Sequence, residues 1–188
     1  MSITVTPITE ADVHKAVYKF IEQFARPALN SSAIYRAQQN RAVLPAMSED
    51  YAVFAEIGQY RRGTTIETFG VDETSLDGKN SYCELIEIDF QIDFYSGDDE
   101  VARRRAQCIE TAARSTAGTD FFKPYGIGCL YASDVKDLTG ITDSDQYVPR
   151  YMTTLRLDYW TGIEVSQDWF DSVVVDLKNV DVVFPPLD

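Results

Sequence analysis

From Glu87 to Tyr95 the chain alternates without a break. Ile88, Phe90, Ile92 and Phe94 fall on one parity, and Glu87, Asp89, Gln91 and Asp93 on the other. Successive side chains of a strand point to opposite faces, so the apolar set belongs to a core and the acidic set to an uncovered side. Further upstream the period changes. Val13, Ala16, Val17, Phe20, Ile21 and Phe24 recur at helical spacing along one face. Ahead of them Thr9-x-x-Asp12 has the form of a capping box, Ile8 and Val13 form a hydrophobic staple, and Pro27 marks the stop.

A second helix is expected to start at Ser96-Gly97-Asp98-Asp99 and to end near Gly118. Val101, Cys108, Ile109, Ala112 and Thr116 define its inner stripe, with Ala102, Ala106 and Ala113 on the flank. Arg105 falls inside that stripe. It either snorkels its guanidinium to the edge or meets a carboxylate, including one on another subunit. Strands are expected over residues 51–60, 82–95, 126–133, 150–161 and 170–184, and a short strand and loop over 34–45. Residues 61–70 extend the 51–60 strand into a hairpin arm, and 71–81 read as an exposed polar loop.

The order is helix, strands, helix, strands. It predicts an α+β fold: a mainly antiparallel sheet with two helices packed on one face, leaving the acidic row on the other. No repeat, linker or low-complexity tract divides the chain, so residues 1–188 read as a single domain.

Charge narrows the partners. The net charge of −13 is uneven: residues 1–70 carry seven acids and seven bases, and 71–100 carry ten acids and one base. Only 101–119 is positive, with four arginines against Glu110. A chain of this balance is not expected to embrace nucleic acid broadly, because affinity for a polyanion comes from counterions released to Lys and Arg. No run approaches the ~20 apolar residues of a membrane helix, and MSITVTPIT lacks the basic and apolar regions of a signal peptide, so no membrane is expected and assembly in the cytoplasm is.

Candidate chemistry is sparse. Cys83, Cys108 and Cys129 are odd in number and have no Cys-x-x-Cys, which predicts buried thiols rather than a disulfide framework or zinc site. His14, the sole histidine, reads as a residue on the flank of the first helix. A histidine triad or a His-ligated metal would have to use it. No P-loop, nucleophile elbow or calcium loop is present, so no catalytic residue, metal or cofactor is assigned. A hydrolase working through a carboxylate pair stays formally open.

Three groups of residues, in order, resemble the phage neck and tail terminator proteins of tailed bacteriophages and prophages. The first is Arg36-Ala37-Gln38-Gln39-Asn40 with Pro45, and the second Ile88 to Tyr95 leading into Asp98 and Ala102. The third comprises Asp134 to Thr139, Tyr147 to Tyr151 and Leu155 to Tyr159. The 71–81 loop is longer and more acidic than that pattern. The resemblance implies a virion protein that forms a ring, usually hexameric, capping the tail tube and facing the head or neck connector, with DNA passing through. A stopper or adaptor ring on the portal side is the alternative. Under this reading Arg36, Gln38, Gln39, Asn40, Arg105 and Arg150 are candidate subunit-interface residues, since guanidinium forks grip carboxylates bidentately. Glu87, Asp89 and Asp93 are candidates to line the channel.

Overall fold

A computed structural model describes residues 8–37, 45–46, 49–71, 78–141 and 147–167. Gln38, Gln39, Asn40 and the strand expected over 170–184 lie outside the described residues. Helix α1 (Glu10–Phe24) starts where the capping box puts it, with the Thr9 side chain accepting from the Asp12 amide. Strands β1 (Ile34–Arg36), β2 (Tyr51–Val71) and β3 (Gly78–Tyr95) follow. Then come α2 (Asp99–Ala113), α3 (Thr116–Phe122) and β4 (Ile127–Ala132). Short pieces β5 (Lys136–Asp137), β6 (Gly140–Ile141) and β7 (Tyr147–Val148) lead into the long β8 (Arg150–Gln167).

The main sheet has the order β1-β2-β3-β8-β4, with β5 also paired to β8. Only the β1–β2 pair is parallel. The fold is therefore the α+β class with a mainly antiparallel sheet. β3 and β8 pair from Gly78↔Gln167 to Tyr95↔Arg150 without a slip, so parity on both strands holds along their whole length. β2 is less regular, with register shifts between Glu56 and Gly58 and between Arg62 and Ile66.

Ile88, Phe90, Ile92 and Phe94 are wholly buried with Val13, Ala16, Val17, Phe20 and Ile21 of α1. Each such Val, Ile or Phe side chain contributes ~1.5–3 kcal/mol by leaving water. Two expectations for the second helix change. It stops at Arg114, and Ser115 caps a separate α3 by accepting from the Ala117 amide. An open Ser side chain that satisfies a new first turn competes with continuing the old one. The buried face of α2 is Ala102, Arg105, Ala106, Ile109, Ala112 and Ala113, so the helix is turned away from the expected stripe. Small alanines let its backbone lie close to the sheet, which the bulkier Val101 and Thr116 would hold off.

Beyond the helices, β2, β3 and β8 run on together as a three-stranded arm. No described residue from Ile57 to Leu85 joins the hydrophobic core. The expected hairpin arm is thus present and gains a third strand, because β8 continues six residues past Thr161.

Candidate functional site

The face of the sheet opposite the helices is organised by β3. Its outward residues Leu85, Glu87, Asp89, Gln91, Asp93 and Tyr95 lie beside Trp160, Asp158, Arg156, Thr154, Met152 and Arg150 of β8 in register. The acidic row occupies the face the alternation predicts. It does not look out bare, however: Glu87, Asp89 and Asp93 are only 4–5 % exposed. Arginines from the flanking strands lie over them.

Arg156 grips Asp89 bidentately, donating from Nε to Oδ1 at 2.7 Å and from Nη2 to Oδ2 at 2.8 Å. Its Nη1 reaches Glu87 Oε1 at 3.0 Å, and Glu87 also pairs with Arg62. Arg150 donates from Nε to Asp93 Oδ1 at 3.0 Å while Gln91 donates to Oδ2 at 2.7 Å. The Arg150 guanidinium also sits 5.5 Å from the Tyr95 ring, which stacks on Tyr51 at 4.6 Å. Four carboxylates on this face, counting Asp158, thus meet three guanidinium groups, and the field of a bare acidic wall is largely cancelled.

The titration of the face follows from these contacts. Hydrogen bonds to Asp89 raise the Arg156 pKa above its ordinary value. Burial opposes the charge of Arg150, and the Asp93 contact outweighs it, leaving its pKa raised as well. Burial pushes Tyr51 up to about 12 and raises Asp158, the latter partly offset by Arg62. Asp158 is held tightly: a Cβ at Gly128 would fall 2.0 Å from its Oδ1, so only glycine fits opposite it.

The candidate interface arginines each have a partner within their own chain. Arg150 holds Asp93, as above. Arg36 donates to Glu10 Oε1 at 3.1 Å, with both side chains well exposed. Arg105, only 3 % exposed, donates from Nε to the Pro27 carbonyl and from Nη2 to Asp50 Oδ2, both at 2.9 Å. It does not snorkel out, and it finds a carboxylate within its own chain. Its Nη1 has no hydrogen-bond partner. Burial alone would raise the Asp50 pKa, but hydrogen bonds from Arg105 and Ser96 outweigh that and hold it below the usual carboxylate range. The structure therefore scatters the expected interface set: Arg36 lies at the end of β1, Arg105 on the buried face of α2, and Arg150 on the open sheet face.

Sequence reasoning missed the cations of the open face other than Arg150. Arg156 and Asp158 alternate with Leu155 and Leu157, which marks a half-buried strand, but a pairing with Asp89 requires a register that no local pattern supplies. His14 is also misplaced by the helical reading. It is buried against Phe54 and Phe90 on the sheet, not on a solvated flank. Cys83 is buried as expected, whereas Cys108 and Cys129 are partly exposed.

The arm is the second distinctive surface. Phe69, 66 % exposed, and Ile163, 64 % exposed, share one side of it with Val165 and Tyr82, as the registers Phe69↔Asn80↔Val165 and Glu67↔Tyr82↔Ile163 require. No helix among the described residues is long and apolar enough to cross a membrane.

Among the described residues an α+β core thus carries two distinctive surfaces, a charge-paired sheet face and an arm with exposed apolar side chains. The family of phage neck terminator proteins matches residues 11–182 of the chain, and the chain belongs to that family. No curated protein matches it. It is accordingly a structural component of a phage virion, acting in the neck, where the tail meets the head.

Proposed function

We propose that copies of this protein close into a ring, hexameric in the simplest case, that ends the tail tube and seats it on the head or neck connector. The observation that carries the reading is the arm. Among the described residues nothing covers its apolar side, and large exposed apolar patches mark interaction sites. A ring needs two different, mutually complementary surfaces on each subunit, and an arm reaching past the core supplies one of them. The occupant is a second copy of the chain. Arg36 joins the same contact set, since its exposed pair with Glu10 can exchange partners at little cost. Gln38, Gln39 and Asn40 continue from it.

The open sheet face is the candidate channel wall. With Glu87, Asp89 and Asp93 beneath guanidinium groups, such a wall has little net charge, so DNA would neither be held by released counterions nor strongly repelled. Size exclusion coupled to light scattering, followed by negative-stain imaging, tests the ring. Wild type should assemble alone or beside tail tubes, and Phe69→Ser with Ile163→Ser should weaken assembly at least ~10-fold without altering the monomer's melting. A strict monomer in both settings would sink the proposal.

A further inference from the structure

Where the first turn of α1 meets the bulged edge of β2, three potential ligand groups converge. One nitrogen of His14 and one oxygen each of Glu10 and Glu56 lie within 4.8 Å of one another. They border a cavity of about 390 Å³ together with Arg36, Ile57 and Gly58. Glu10 and His14 are one helical turn apart and so share a face, and the register shift at Glu56/Gly58 sits directly opposite.

The tautomer of His14 follows from its surroundings. Nδ1 lies 2.8 Å from the Glu10 carbonyl oxygen, which can only accept, so Nδ1 carries the proton and donates it. In the neutral ring the lone pair is then on Nε2. That atom lies 3.9 Å from Glu56 Oε2, while the Glu10 carboxylate approaches the ring from the other side, with Oε1 3.7 Å from Nδ1. The ring is 5 % exposed and is fixed edge-on to Phe90 at 5.0 Å. A buried imidazole whose far nitrogen donates to a backbone carbonyl is the arrangement that orients and strengthens a metal-ligating histidine.

We propose that Glu10, His14 and Glu56 bind one divalent transition-metal ion, with zinc the best match. One imidazole and two carboxylates are a zinc donor set, with bonds of ~2.0–2.2 Å and a fourth place for water. Ligand atoms around such an ion sit ~3.4 Å apart, so an ion on Nε2 needs a small rotation of Glu56 to close the 3.9 Å gap and a swing of the exposed Glu10 carboxylate from the Nδ1 side of the ring. The positive end of α1 works against a cation, and the two carboxylates outweigh it. Arg36 is the resident competitor, because its guanidinium already occupies Glu10 Oε1. Metal and Arg36 are therefore antagonists for one carboxylate. When bound, the ion clips the start of α1 to the sheet edge, joining two elements that only side chains connect there.

Calorimetric titration of the full chain with zinc chloride tests this, with melting followed in parallel, since an ion that binds only the folded state raises Tm with concentration. One zinc per chain should bind at low micromolar concentration or tighter. Glu56→Gln, a near-isosteric change at a partly exposed side chain, should weaken binding at least ~10-fold, as should His14→Gln. Arg36→Ala should tighten it. Cys83, Cys108 and Cys129 could take zinc by themselves, so equal binding by wild type and Glu56→Gln would assign the ion to the thiols and overturn the proposal. Absence of saturable binding to wild type would overturn it too, and so would weaker binding by Arg36→Ala.

Discussion

Arg105 and Asp50 form an unequal pair, and the inequality makes a quantitative prediction. The arginine side chain is almost wholly buried and the aspartate half exposed. Asp50→Asn keeps the shape and a hydrogen bond from Ser96, which now reaches Asp50 Oδ1 at 2.6 Å, but it leaves a buried guanidinium without its counter-charge. Removing one member of a buried pair costs ~3–5 kcal/mol; with water able to reach the Asp50 side, about 3 kcal/mol is expected. Arg105→Met removes the charge that needs compensating and keeps most of the stem packing. Asp50 then hydrates, the unpartnered Nη1 disappears, and the chief loss is the hydrogen bond to the Pro27 carbonyl, about 1 kcal/mol. Urea unfolding of dilute monomer reads the difference. At ~2 kcal/mol per molar, Asp50→Asn should lower the midpoint by ~1.5 M and Arg105→Met by ~0.5 M. The folded pKa of Asp50 lies below its ordinary 3.8, so the contribution is complete above that value and fades as pH falls through the folded pKa. Wild type and Asp50→Asn should therefore converge in acid. The reverse order of the two variants, or a gap that persists unchanged at pH 2, would refute the reasoning.

Asp158 is the opposite case: burial raises its pKa, so ionisation penalises the fold above the folded pKa and costs nothing below 3.8. Asp158→Asn should stabilise at pH 7 by a few tenths to about 1 kcal/mol and have no effect near pH 2; destabilisation at pH 7 would show that the charge is needed. Gly118 lets α3 approach α2, since a Cβ there would sit 2.7 Å from the Ala112 carbonyl oxygen and 2.9 Å from Ala113 Cα. Gly118→Ala should cost ~1–3 kcal/mol despite alanine's better helix propensity, and an unchanged melting temperature would contradict the packing. Burial pushes the Cys129 thiol up to about 11, so iodoacetamide at pH 8 should label partly exposed Cys108 well before it, as peptide mapping would reveal. Equal labelling of the two would count against that burial.

Much of this protein is readable from local pattern. The parity of β3, the apolar face of α1, the Thr9 cap and the α+β order depend on neighbours within a few residues, and period 2 or 3.6 exposes them directly. The arm was legible in part, because Thr64 to Phe69 continue the strand-forming character of β2. What local pattern does not carry is which segments meet. Arg156 covers Asp89 across 67 positions of chain, and Arg105 finds Asp50 across 55. Both pairings depend on a register or a helix rotation that is set by the whole core at once. The same holds for His14, whose flank position on α1 becomes an interior one only because β2 and β3 bring Phe54 and Phe90 against it. A row of carboxylates in the sequence thus specifies a face, while the tertiary structure decides its charge, since cancellation depends on cations that arrive from other strands.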